Sequence, residues 1–167
     1  MIKVILYCGL ILIIAGCSIF RNTSKDSSEK IEVNEIQYGI CETKRARIEN
    51  MESSPSGNHI RSTEFSLVEQ TDRIPGNIGQ KFGVEFIIKS TIENYIFVEQ
   101  VWMFPKSIID DEGKTFNELR YKIKKPTNKK TYSTYTLEKE YEIVKGVWTY
   151  QMFYEGEKIY ERKFYVE

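Results

Sequence analysis

From residue 31 to the C-terminus, apolar and polar positions alternate with a period of two, the spacing of a strand that buries one face. Ile36, Tyr38 and Ile40 point one way, with Glu35, Gln37 and Gly39 between them. Phe65 and Leu67 alternate with Glu64, Ser66 and Val68. Phe82, Val84, Phe86 and Ile88 make the clearest apolar face in the chain, opposite Gly83, Glu85 and Lys89. Residues 95–104 are nearly continuous in apolar side chains and predict a central strand. Tyr135, Leu137, Tyr141 and Ile143 share a face, as do Trp148, Tyr150, Met152 and Tyr154, and Phe164 and Val166 close the sequence. Residues 139–144 have a weak helical spacing, but their β-branched and tyrosine content predicts strand. Turn residues fall between these runs at 55–58, 75–79, 112–113, 145–146 and 155–157, the last suggesting a closing hairpin. About seven or eight short antiparallel strands in one small domain predict an all-β fold: an antiparallel β-sandwich of immunoglobulin-like architecture, with a small barrel as the alternative.

The first thirty residues follow another pattern. Lys3 supplies a short positive start, and residues 4–14 are an apolar run interrupted only by Tyr7, Cys8 and Gly9. That run is short for a permanent membrane span and suits the apolar region of a secretion signal. It ends in Ile14-Ala15-Gly16-Cys17, which resembles the lipobox of bacterial lipoproteins. The resemblance implies cleavage between Gly16 and Cys17, with a diacylglyceryl group and further acyl chain on the Cys17 sulfur and amine. Small residues before the cysteine let the peptidase grip an extended segment, and the thiol is the nucleophile that takes the lipid. The alternative is an uncleaved anchor helix; either way the chain is expected to be membrane-tethered, and several acyl chains make a stable anchor. Ser18, rather than an aspartate, follows Cys17, which by resemblance to enteric sorting favours the outer membrane. Residues 17–30 are rich in Ser, Lys and acidic side chains and read as a flexible tether, leaving 31–167 as one domain.

Charge narrows the classes of partner. Lysine plus arginine and aspartate plus glutamate number 24 each; loss of residues 1–16 removes Lys3 alone, so the mature chain stays near neutrality and carries no global bias towards nucleic acid. The unevenness is local: Lys114, Arg120, Lys122, Lys124, Lys125, Lys129 and Lys130 crowd one stretch against Glu118. Lys122, Lys124, Lys125, Lys129 and Lys130 are candidate contacts to an anionic lipid or glycan. The competing reading is a solvated loop or edge strand whose lysines prevent sheet-to-sheet association.

Few residues carry catalytic or metal chemistry. The chain has three cysteines and one histidine, His59. Cys8 leaves with the signal and Cys17 takes the lipid, so Cys41 has no partner for an internal disulfide and reads as a half-buried strand cysteine rather than a nucleophile. His59 lies in a Ser, Gly and Asn-rich stretch and reads as a loop histidine, though a hydrolase would have to be built around it. Asp110, Asp111 and Glu112 lack the alternating oxygen spacing of a calcium loop and read as a solvated turn. Glu138 and Glu140 are expected on one strand face. No metal site and no cofactor beyond the covalent lipid are expected.

Tyr38, Gly39 and Ile40, the segment from Thr71 through Pro75 to Gly79, Phe82 and Gly83, Pro105, Gly113, Tyr135 to Glu138, Glu142, Gly146 to Trp148 and Phe164 to Val166 occur in an order that resembles domain-of-unknown-function family 3859, a group of secreted or lipid-anchored bacterial proteins. The resemblance runs from about Ile36 to the end. The chain departs from it at Cys41, where an aromatic is usual, and at Gly76, where alanine is common. It implies a domain identity and no activity. The motif residues themselves read as a fold signature: Gly79 in a left-handed turn, Gly83 at a close backbone approach, Trp148 as a core anchor. The expectation for function is a lipid-anchored, non-catalytic envelope protein that pairs with another envelope protein, with a binder of envelope glycan or anionic lipid as the alternative and a hydrolase behind both.

Overall fold

The computed structural model describes residues 30–91 and 94–167, without the side chains of residues 45 and 46. Gly16, Cys17 and the expected tether as far as residue 29 lie outside the described residues. Nine strands and one short 3₁₀ turn follow one another among the described residues: β1 (Glu32–Asn50), β2 (Asn58–Glu69), β3 (Arg73–Ile74), β4 (Lys81–Lys89), β5 (Tyr95–Ile109), β6 (Thr115–Pro126), β7 (Lys130–Thr136), the turn (Glu140–Glu142), β8 (Gly146–Tyr154) and β9 (Glu157–Val166). They form two sheets, ordered β2-β1-β4-β7 and β3-β9-β8-β5-β6. Pairing is antiparallel except where the two-residue β3 lies parallel to the end of β9. The result is the β-sandwich that the alternation predicts.

Between the sheets the inward residues of β4 (Phe82, Val84, Phe86, Ile88) meet Ile96, Val98 and Trp102 of β5, Trp148, Tyr150 and Met152 of β8, and Phe164 of β9, all at most 4% exposed. Phe82 is the hub, its ring edge-on to Trp102, Trp148 and Phe164 at 5.6, 6.0 and 5.1 Å between centroids. Edge-to-face contact places the positive ring edge on a negative face, and each buried aromatic adds a few kcal/mol, on the order of 2, through area alone. Trp148 is the core anchor expected, its indole N–H donating to the Val144 carbonyl at 2.8 Å.

Two glycines show why the fold needs them. Gly79 turns with φ +85° before β4. At Gly83 a Cβ would sit 2.2 Å from the Ser133 carbonyl oxygen, so β7 closes on β4 only because no side chain stands there.

Three local expectations are corrected. Ile36 is 39% exposed because β1 bulges between Glu35 and Gln37, which turns Glu35 inward in its place. Glu35 accepts hydrogen bonds from Arg162 and Tyr160 of β9 and so ties the two sheets together on that side, with Arg162 stacked 3.6 Å above the Tyr38 ring. The strand expected through Ile143 ends at Thr136. The buried Glu142 carboxylate accepts from the N–H groups of Glu138 and Lys139 and from the Tyr135 hydroxyl, at 2.8, 2.9 and 2.6 Å, pulling the chain into a 3₁₀ turn. Glu138 therefore precedes a turn that Glu140 begins, and the two do not share a strand face. Residues 41–69 form a paired arm: the second half of β1 and all of β2 stay paired, through register shifts at Ile40/Cys41, Thr43/Lys44 and Arg45/Arg47, to Asn50 opposite Asn58. His59 is thus a strand residue, half-buried, and not part of a flexible loop.

Candidate functional site

The arm reaches over the β6–β7 side of the sandwich. Tyr132 of β7 donates to the Ser62 carbonyl at 2.6 Å and packs its ring on Phe65, while His59 lies edge-on to Tyr121 of β6 at 5.2 Å. At the arm's turn, Glu52 and Pro55 offer carbonyls to Lys114 and Tyr141. Beneath the arm lies a cavity of about 220 Å³, bounded by Ile60, Arg61 and Ser62 of β2, Tyr121, Ile123 and Lys125 of β6, and Tyr132 and Ser133 of β7. Its floor is polar: the Gln100 amide donates to the Ser133 and Tyr150 hydroxyls at 2.5 and 2.8 Å, and Tyr150 donates to Ser133 at 3.0 Å.

The candidate lysines do not form one surface. Lys125 shares the inward face of β6 with Tyr121 and Ile123; it is 8% exposed, donates to the Tyr132 carbonyl and lies near the rings of Phe86 and Tyr132. Burial lowers its pKa to about 8. Lys122 and Lys124 point outward, Lys129 is exposed in the connection to β7, and Lys130 lies 3.7 Å from the Glu85 carboxylate. Arg120 pairs with Glu99 and Glu118, both at 2.7 Å. Period-two alternation through Tyr121, Ile123 and Lys125 already carried the signal for an inward Lys125; the density of charge along the stretch obscured it.

Outward Lys122 and Lys124 border a second feature, the outer face of β5, β6 and β8. Phe97 stands 69% exposed near the start of β5, beyond its pairing with β8, and Tyr95 is 49% exposed beside it. Lys124 lies over the Tyr95 ring at 4.9 Å and Arg120 over Phe153 at 5.7 Å. A shallow groove runs between Tyr95, Phe97, Lys122, Lys124 and Phe153 to the β8–β9 turn, with Glu99, paired to Arg120, and Glu155 at its margins. Exposed aromatics grouped among cations are the composition of a contact surface.

The remaining candidates separate. Cys41 is buried on β1, where burial pushes its thiol up to about 12 against a smaller opposing effect of Lys81. At neutral pH it is a thiol, the unreactive form. His59 feels Arg61, Glu49 and Lys125 instead, and burial lowers its pKa below the usual histidine range. The Asp110 carboxylate accepts from the N–H groups of Glu112 and Lys114 at 3.0 and 2.8 Å, which makes it part of its own turn. Among the described residues no three His, Cys, Asp or Glu side chains converge as a metal site would require, and no helix is long and apolar enough to cross a membrane.

Two packed, largely antiparallel sheets between which the chain crosses repeatedly define an immunoglobulin-like β-sandwich. A crystal structure of an immunoglobulin-like protein from Pseudomonas aeruginosa superposes with a TM-score of 0.60 at 19% identity, covering 83% of this chain and 97% of that one. An alkylpurine DNA glycosylase of Pseudomonas fluorescens bound to abasic-site DNA reaches a TM-score of only 0.35 at 10% identity, over 57% of this chain and 28% of that one, which is too low to carry an argument. The chain belongs to the family described as Domain of unknown function (DUF3859), whose model matches residues 29–166. No curated protein matches the chain.

The family motif now has a physical content. Tyr135 and Glu142 are hydrogen-bonded to each other, Trp148 packs on Tyr135 at 5.0 Å, Gly146 abuts the Pro105 ring, and Phe82 meets Phe164. These residues assemble one end of the core, and the motif is a fold signature.

Proposed function

We propose that this chain is a lipid-anchored binding module of the bacterial envelope that works by contact and performs no catalysis. Cys17 carries the lipid, the outer membrane is its favoured location, and the partner is an envelope protein presenting an acidic surface. The observation that carries this reading is the outer face of β5, β6 and β8: Phe97 and Tyr95 stand exposed among Lys122 and Lys124. Aromatic anchors flanked by cations suit a protein surface of opposite charge, the aromatics giving affinity and the cations giving encounter rate and register. The location supports it as well. β1 enters with Glu32 opposite Lys89, the end of β4, and Tyr95 begins the next strand, so the exposed aromatics lie at the end of the sandwich where the chain enters. The stretch from Cys17 to Lys30 allows at most about 45 Å of reach, which keeps a partner on this face near the membrane.

The test is cross-linking of the full chain in intact cells, with mass spectrometry of what is recovered. The expected result is one reproducible acidic protein, lost in Phe97→Asp and weakened by Lys122→Glu and Lys124→Glu, with the fold unchanged because all three side chains are exposed. Recovery of anionic glycan or lipid alone would replace the protein-partner reading, and a partner retained by Phe97→Asp would refute this surface. Cys17→Ala is expected to leave the chain unacylated with its signal uncleaved; a normally processed, membrane-bound variant would overturn the anchor.

A further inference from the structure

We propose that the cavity beneath the arm is a binding site for a small carboxylate with a short apolar tail, and that Lys125 is the residue that holds it. This site lies on the inward face of β6, the opposite side of the strand from Lys122, and stands independently of the contact surface above.

Charge is the first argument. Lys125 is the cation that faces the cavity, and no aspartate or glutamate lines it; Lys124 turns its ammonium outward over the Tyr95 ring, and Arg61 is paired with Glu49 at 2.8 Å. Lys125 is 8% exposed and has no carboxylate partner among the described residues; its hydrogen bond to the Tyr132 carbonyl engages one of three ammonium donors. A cation desolvated without a counter-ion is costly, and a bound anion is the direct remedy. Burial has lowered the pKa of Lys125 only to about 8, so the amine remains largely protonated at neutral pH and able to bind one.

The floor supplies the second argument. Ser133 Oγ accepts hydrogen bonds from both Gln100 and Tyr150, which leaves the serine's own hydrogen to donate, and Ser133 lines the cavity. The buried network therefore ends in a donor beside the lysine, an arrangement suited to an acceptor with two oxygens.

Size and walls set the class. A volume of about 220 Å³ accommodates several waters or a small organic ion and is below the range of drug-sized sites. Ile60, Ile123 and Pro126 give an apolar wall, which favours a carboxylate with a short aliphatic body over a bare, fully hydrated oxyanion. The arm walls the site on one side through the hydrogen bond from Tyr132 to Ser62, and the cavity is open to solvent beside it, so a ligand enters directly.

The experiment is calorimetric titration of the full chain in detergent micelles at pH 7 and constant ionic strength with butyrate, its neutral isostere butyramide, and inorganic phosphate. Butyrate is expected to bind saturably and to be favoured over butyramide by on the order of tenfold to a hundredfold, the worth of a charge-assisted contact in a desolvated site. Lys125→Met should lose the same factor, and Lys122→Glu should lose none. Ile60→Trp fills the cavity from the arm and is expected to abolish binding even if Lys125→Met fails to fold. Absence of saturable butyrate binding, equal binding of butyrate and butyramide, or butyrate binding that survives Ile60→Trp would overturn the proposal; phosphate binding better than butyrate would overturn the assignment of a carboxylate.

Discussion

Replacing Lys125 by methionine should stabilise the protein at neutral pH. Burial holds the amine's pKa down to about 8 from about 10.5. At about 1.4 kcal/mol per pH unit, the folded state carries a penalty of about 3 kcal/mol for keeping this lysine charged. Water entering the adjacent cavity reduces that figure, and the lost hydrogen bond to the Tyr132 carbonyl offsets about 1 kcal/mol of it. Methionine matches the length of the stem and packs on Phe86 and Tyr132 without a charge. The net gain expected is about 1–2 kcal/mol at pH 7, or roughly 4–8 °C in Tm for a domain of this size.

The pH dependence makes the reasoning specific. A lysine with a lowered folded pKa leaves the unfolded chain holding more protons between pH 8 and about 10.5, so wild-type stability gains from this residue across that window. Its destabilisation is complete below pH 8 and gone above about 10.5. Cys41 acts in the opposite sense: its thiol is held up to about 12, so its contribution is lost as pH rises past 9. That effect is common to both proteins and cancels in the difference. Urea unfolding followed by the fluorescence of Trp102 and Trp148, both buried, gives the comparison at each pH. The advantage of Lys125→Met should be largest at pH 7 and vanish towards pH 10.5. An advantage independent of pH, or a variant less stable than wild type at pH 7, would refute the claim that Lys125 is a buried, uncompensated cation.

Two further outcomes are expected. His59 has its pKa lowered by burial, with Arg61 and Lys125 adding repulsion against the smaller pull of Glu49, so the folded state resists a proton that the unfolded chain accepts; stability should fall as pH drops below about 6.5, and His59→Gln should flatten that slope in urea midpoints taken from pH 5 to 7. Glu142→Ala strands the Tyr135 hydroxyl and the N–H groups of Glu138 and Lys139 and should cost about 3 kcal/mol, whereas Glu142→Gln keeps acceptors for the two N–H groups and should cost less than about 1 kcal/mol; equal losses by thermal unfolding would show that the turn is held by packing alone.

Strand pattern was legible wherever one face is buried and the strand is straight. The faces of β4 and β8 followed from alternation because each apolar side chain meets the opposite sheet, as Phe82 meets Trp148 and Phe164. Alternation failed where something other than periodicity sets direction. The bulge at Glu35 exchanges which side chain points inward, and the carboxylate that arrives there is accommodated only because Arg162 and Tyr160, more than a hundred positions away, supply donors. The 3₁₀ turn fails for a related reason: the apolar spacing of Tyr141 and Ile143 looks like a strand, but Glu142 captures two backbone N–H groups and ends the ladder. The stretch around His59 read as a loop because an arm held outside the core needs few apolar residues; pairs such as Arg61 with Glu49 and Thr43 with Ser62 line it instead.

The candidate sites follow the same logic. A charge run in sequence is one-dimensional, and a strand divides it between two faces: Lys122 and Lys124 go to solvent, while Lys125 goes inside with Tyr121 and Ile123. That division turns a single basic patch into two features of different chemistry. On the outer face, hydrated cations beside Tyr95 and Phe97 favour a broad, exchangeable contact, because exposed charges add little affinity and act mainly on encounter. On the inner face one desolvated cation beside a polarised serine favours a small, discrete anion, because low dielectric magnifies a single contact. Salt separates them: added electrolyte should weaken whatever binds at Lys122 and Lys124 far more than it weakens a ligand on Lys125, since screening acts strongly on exposed pairs and little on buried ones.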